Sequence, residues 1–294
     1  MEYARYPVVA GVAVLSIAVT VARWAGVNVS PLLETAMIRR GELWRLLTCI
    51  LPHGDVLHLA FNVYWLWVFG SLVEEEFGHW KTAAFIVFFA IGSSAMEFAF
   101  LVGGIGLSGV GYALFGMLWM LAKYGEPRFH DAIDTMTVQI FIAWFFFCIV
   151  TTYFHYMSVA NIAHGAGLVL GVLVGLAIAH EEERVAAAAG AAFVFLFGLW
   201  AATLGRPWVN VSSTGGVEEG QWGYMALVEN QDQEAEKWFH DATRYQPKEP
   251  AYWFDLGIAL ERLGKRAEAH AAYVHALQLD PKNANAAEAA EATK

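Results

Sequence analysis

The sequence predicts an all-α protein: a polytopic bundle of membrane helices followed by a small soluble helical-repeat domain. Three observations carry this expectation. The 294 residues are 57% hydrophobic, with a mean hydropathy of +0.44, and only 16% are charged, below the roughly 25% of soluble domains. Apolar stretches near the length needed to cross a bilayer recur from Pro7 to Leu204. Beyond Gly205 the pattern turns polar and repeats itself.

The apolar stretches fall at 7–26, 56–76, 81–102, 108–123, 136–155, 160–180 and 185–204. They predict seven spans, the fourth short, within a membrane domain over 1–205. The first lies close enough to Met1 to resemble a signal peptide. No small-residue cleavage site follows its core, and Trp24 and Val27 prolong it, so a retained span is expected. The net charge of −10 argues against nucleic acid, which calls for a basic stripe. The acidic excess is shared equally by the part before Arg206 and the part from Arg206 onward. Cys49 and Cys148 are too few for a disulfide framework. No metal or organic cofactor site is expected.

Pro207 to Gly220 is rich in Ser, Thr and Gly and reads as a linker within 206–220. In 221–294, Gly223, Ala235, Phe239, Ala242 and Pro247 recur as Gly257, Ala269, Tyr273, Ala276 and Pro281 at a constant offset of 34 residues. This small–aromatic–small–Pro pattern at a period of about 34 is the tetratricopeptide signature of paired helices. Trp253 and Leu256 open the second repeat as the pattern requires, whereas Glu219 and Ala226 depart from it in the first. Two repeats bury little surface, so the tail from Asn283 to Lys294 is expected to add a capping helix.

Polar side chains inside a bilayer are costly and mark candidate sites. His58 and Asn62 lie in the second span, Ser108 opens the fourth and His164 opens the sixth. Alternating direction puts these three helix ends in one leaflet. His58 and Asn62 are four apart and share a helix face. Gly109, Ala113 and Gly116 form a small-residue stripe that can face Gly167, Gly171 and Gly175, letting two backbones approach closely. After the flexible Gly103–Leu107 segment, Ser108 sits at a helix start, where unsatisfied N–H groups and the macrodipole favour negative charge. His164 suits a general base for the Ser108 hydroxyl. His58, Asn62 and the Ser108 amide can donate to an oxyanion. No acidic third member is evident, and Tyr112, one turn beyond Ser108, is placed to pack on the imidazole. His53, His79, His155 and His180 read as interfacial, and Glu74, Glu75 and Glu76 as a solvated boundary. Glu97 is the one carboxylate placed deep in a span, too few for a proton path through a transporter or channel.

At these residues the chain resembles the bacterial rhomboid intramembrane proteases, over roughly Gly41 to Glu181. Trp44-Arg45 matches a first-loop pair of structural role. His58 and Asn62 match a His-x-x-x-Asn element lining the oxyanion hole. Gly106-Leu107-Ser108-Gly109, with Tyr112, Leu114 and Gly116 beyond it, matches the nucleophile box, and Ala163-His164 with Gly167 and Gly171 matches the catalytic histidine element. The resemblance implies a six-helix core holding a Ser108–His164 dyad in a wet cavity, and cleavage of transmembrane protein substrates near their outer ends. It does not explain the seventh span or the repeats. A non-proteolytic scaffold or quality-control binder on the same fold is the alternative. The protein is expected in the cell (inner) membrane. Arg39, Arg40 and Arg45 against Arg5, Lys81, Lys123, Arg128 and Arg184 weakly favour a cytoplasmic N-terminus. An odd number of spans then places the repeats outside, available to a protein partner or to substrate ectodomains.

Overall fold

A computed structural model describes residues 5–125, 129–130 and 133–294; Arg128, used in the charge count, lies outside them. The chain separates into two compact units, Met1–Arg206 and Pro207–Lys294.

The first unit contains α1 (Pro7–Trp24), α2 (Arg45–Thr48), α3 (Val56–Phe77), α4 (His79–Phe100), α5 (Ser108–Tyr124), α6 (Thr135–Tyr153), α7 (Asn161–Ala179) and α8 (Arg184–Ala202). All but α2 coincide with the expected spans to within two residues. Among the described residues six helices are long and apolar enough to cross a membrane; α5, with 17 residues, is not one of them. At 1.5 Å per residue it reaches about 25 Å, less than the hydrocarbon thickness of about 30 Å. Most of its side chains are buried. It is the central helix, and it needs no lipid-facing length of its own.

Helix ends within an apolar unit need partners for their N–H groups. Asp55 caps α3 by accepting from the His58 N–H at 2.9 Å, and Asp134 caps α6 through Thr137 at 2.7 Å. The start of α1 has no cap of its own. It borrows one from α3, where Glu74 accepts from the N–H groups of Val8 and Val9, each at 2.9 Å, and from His79 Nδ1 at 2.7 Å. Glu74 is therefore buried rather than part of a solvated acidic boundary. Glu75 meets water, bonding to Tyr6 and Arg5.

The central contact joins α5 to α7. A Cβ on Gly171 would lie 1.9 Å from the Ala113 carbonyl oxygen, and one on Gly167 only 2.1 Å from that of Gly109. Gly116 faces the Leu168 carbonyl in the same way at 2.7 Å. The two stripes thus meet backbone to backbone, and one methyl group at either α7 position would force the helices apart. Trp44 and Arg45 hold the preceding loop: the buried Arg45 donates to the Ser30 and Leu33 carbonyls at 2.6 and 2.9 Å, and Trp44 Nε1 donates to Pro31 at 3.3 Å.

After α9 (Arg206–Val209), the second unit pairs α10 (Val217–Val228) with α11 (Asp232–Tyr245) and α12 (Pro250–Arg262) with α13 (Arg266–Leu279), and ends in α14 (Ala284–Ala292). Helix therefore enters 206–220 at both ends of the expected linker. Glu218 and Glu219 in the first turn of α10 suit its dipole and extend it upstream of Gln221. Gly223 faces the Phe239 ring and Gly257 the Tyr273 ring, with Cβ positions at 3.0 and 2.4 Å from ring carbons. The sequence repeat is thus a repeat of one contact. Helix α14 covers its end, with Ala290 in the core and its carbonyl accepting from His270 Nδ1 at 2.9 Å.

Gly171→Ala is expected to destabilise the first unit by about 1–3 kcal/mol through overpacking, seen as a lowered unfolding midpoint in detergent. Gly11→Ala, where a Cβ meets nothing within 4 Å, should leave the midpoint unchanged or slightly raised.

Candidate active site

Ser108 is the first residue of α5, and His164 lies one turn into α7. The close approach of these helices leaves the Ser108 Oγ 2.7 Å from the His164 Nε2. At that separation the hydroxyl can donate to the unprotonated nitrogen. The imidazole is buried, and its Nδ1 has no hydrogen-bond partner among the described residues. Among the described residues no carboxylate orients it. Tyr112 stacks on the ring instead, with centroids 4.7 Å apart and planes at 29°, and is itself anchored through its hydroxyl to the Phe141 carbonyl on α6 at 3.2 Å.

The opposite wall comes from α3 and the loop before α5. Gly106 has φ +103°, and a Cβ there would lie 2.7 Å from His58 Nε2. A glycine is required twice over, for the left-handed backbone and for the histidine seated against it. His58 Nδ1 accepts from the Gly54 N–H at 3.3 Å. That bond places the ring proton on Nε2, the nitrogen facing Gly106. Asn62, one turn along, is buried and donates from Nδ2 to the His58 carbonyl at 3.0 Å, leaving its second amide proton for another acceptor. Gly109 and Gly167 contribute absence of bulk: a Cβ on Gly109 would lie 2.5 Å from Ser93 Oγ.

Three further polar residues bear on the site. His53, expected at the interface, is fully buried. Its Nε2 accepts from the Leu107 N–H at 3.3 Å, Thr20 Oγ1 and the Leu51 carbonyl flank its Nδ1, and its ring meets His58 edge to face at 4.9 Å. Glu97 accepts from the Ala163 N–H at 2.9 Å and so caps α7 beside His164. Glu34, in the first loop, accepts from the Gly104 N–H at 2.6 Å. Burial pushes its carboxyl well above the usual range, Glu97 adding to this while the Gly104 N–H and Arg206 oppose it. A carboxylate in a loop carries no periodic signal, so Glu34 has no sequence signature. His53, five residues before His58 in a polar turn, reads as a surface residue until α1 is packed over it.

Comparison with known proteins bears on this arrangement. Residues 40–181 match the family model described as Rhomboid domain, and residues 250–283 the model described as Tetratricopeptide repeat. The chain carries a rhomboid domain and, behind it, a tetratricopeptide repeat. Over 134 residues it is 34% identical to the Rhomboid protease GlpG of Salmonella paratyphi A, covering 45% of this chain and 47% of that protein. Over 138 residues it is 33% identical to the Rhomboid protease GlpG of Photorhabdus laumondii subsp. laumondii, covering 46% and 47%. The chain spans about half the length of these curated relatives. The rhomboid match begins in the first loop and ends after α7, so it includes His58, Asn62, Ser108, Tyr112 and His164 and leaves out α1 and α8. With six apolar helices of spanning length, the protein is a multi-pass membrane protein.

His53 makes the rhomboid domain acid-sensitive. Burial lowers its imidazole from 6.5 to about 4, with the neighbouring His58 adding to the shift. Between these values the unfolded chain binds more protons than the folded one, so stability present above pH 6.5 is lost as pH falls toward 4. The thermal midpoint in detergent is expected to drop across that window, and His53→Gln to make the drop shallower.

Proposed function

We propose that the protein is an intramembrane serine endopeptidase that cleaves transmembrane segments of membrane proteins with a Ser108–His164 dyad. The observation that carries this reading is the 2.7 Å contact between the Ser108 Oγ and His164 Nε2. It lies at the start of a short central helix, inside a domain that resembles named proteases. In the proposed reaction Ser108 Oγ attacks the scissile carbonyl while His164 Nε2 takes its proton. The oxyanion is met by the Ser108 N–H, the His58 Nε2–H and Asn62 Nδ2. His164 then protonates the leaving amine, and a water activated by the same imidazole hydrolyses the acyl-enzyme. Tyr112 keeps the ring in the plane that both transfers require. A helical peptide bond is shielded by its own hydrogen bonding, so the favoured substrates have a segment that unwinds at the level of Ser108.

Ser108→Ala and His164→Asn are each expected to lower cleavage of a model transmembrane substrate by purified protein at least about a thousandfold. Asn62→Ala should cost roughly a hundredfold, as loss of one oxyanion donor does. A fluorophosphonate should label Ser108. Equal product from wild type and Ser108→Ala would remove the nucleophile; absence of product from both, with no labelling, would favour the non-proteolytic scaffold.

The helical repeats are proposed as a module for a protein partner, recruiting or screening substrate ectodomains. Seven crossings with a cytoplasmic N-terminus in the inner membrane put this unit on the outer face. A reporter fused after Lys294 is expected to report an external location. A cytoplasmic signal would end the recruitment idea in this form.

A further inference from the structure

Glu34 and Glu97 play no part in the proposed reaction, yet they meet directly behind the nucleophile. Glu34 and Glu97 line one cleft with Ser93, Ser94 and Ser108. Each carboxylate holds the backbone of a different element. Glu34 Oε2 accepts from Gly104, four residues before Ser108, at 2.6 Å. Glu97 Oε2 accepts from Ala163, the residue before His164, at 2.9 Å. The Gly103-Gly104 doublet runs between the two acids. A Cβ on Gly103 would lie 2.8 Å from Glu34 Oε2, and one on Gly104 2.6 Å from the Ala160 Cβ and 3.6 Å from Glu97 Cγ. No other residue type fits there. The other Glu34 oxygen, Oε1, is buried and makes no hydrogen bond.

Arg206 packs against α4, the helix of Glu97. Its side chain is buried, Nε donates to the Phe98 carbonyl at 2.8 Å and Nη2 to the Leu101 carbonyl at 3.1 Å, and the guanidinium covers the Phe98 ring at 4.0 Å. It thereby closes the C-terminal end of α4, the helix bearing Glu97, and its charge acts on Glu34. The first loop in turn grips the end of α8, where Arg39 Nε donates to the Thr203 carbonyl at 3.1 Å.

We infer that Glu34, Glu97 and Arg206 are positioning residues that set the Ser108–His164 geometry from behind, and that α8 serves the reaction by delivering Arg206. Glu34 fixes the loop leading to Ser108, Glu97 fixes the turn leading to His164, and Arg206 fixes the end of the helix that carries Glu97. The inference rests on the serine protease reading above.

The test uses the full-length protein in detergent, the rate of fluorophosphonate labelling of Ser108, and kcat and KM for a transmembrane substrate. Ser108→Ala serves as the baseline. Arg206→Met is expected to slow labelling about tenfold or more and to lower kcat with KM within about twofold, as misplacement of reacting groups does. Because Arg206 acts by donating to the carbonyls at the end of α4, Arg206→Lys, which keeps a donor there, should label within about threefold of wild type. Glu34→Gln alone, which keeps an acceptor for Gly104, should outperform Glu34→Ala. The inference fails if Arg206→Lys is no better than Arg206→Met, or if each loss merely tracks a lowered thermal midpoint. Should Arg206→Met not fold, equal labelling of Glu34→Gln and Glu34→Ala would also overturn it. Unchanged labelling of Ser108→Ala would instead overturn the nucleophile assignment itself, and this inference with it.

Discussion

Everything at the centre of the membrane unit depends on α5 and α7 touching through their backbones. In lipid no hydrophobic gain comes from pressing two apolar helices together, so association rests on van der Waals fit and on polar contacts. Gly167 and Gly171 seat the carbonyls of Gly109 and Ala113 where a Cβ would stand. That spacing lets a side chain as short as serine reach a histidine on the next helix at 2.7 Å. It also slides the Tyr112 ring over the imidazole. A wider crossing would leave each of these groups facing a gap.

Carboxylates provide a second level of organisation. Glu74 and Glu97 each sit on a helix of the bundle and satisfy the N–H groups at the start of a neighbouring helix, and Glu34 does the same for the loop before α5. Water ordinarily serves such helix starts, but it is scarce within the apolar unit. A carboxylate accepts several bonds and complements the positive end of the helix dipole. Two of the buried acids therefore cap helix starts and the third a loop, and Glu97 and Glu34 act next to the residues of the proposed dyad.

The repeat unit solves its packing problem with the same device in a different solvent. Gly223 under Phe239 and Gly257 under Tyr273 let the helices of each pair close on an aromatic ring. Here the drive is apolar burial from water. The ring side of the contact is correspondingly large, whereas the membrane stripes are small on both sides.

The sequence alone determined the helices and singled out the candidate site residues. Apolar length marked each span because a helix must satisfy its own backbone in lipid. The 34-residue recurrence marked the repeats because one contact recurs in both. Ser108, His164, His58 and Asn62 stood out because polar atoms at that depth are costly. Alternation of direction placed them at one end of the bundle. Tertiary structure decided what lies between elements distant in sequence. His53 and Glu74 read as surface residues by position, and only packing of α1 over the loop and of Glu74 under the start of α1 buries them. Glu34 carries no periodic or motif signal, and its role appears only when the first loop folds beneath Gly104. Arg206 follows the last span and looks like part of a linker until the end of α4 accepts its guanidinium. In each case the partner lies at least 30 residues away, beyond the reach of helical spacing, and only close packing determines which polar group meets which backbone.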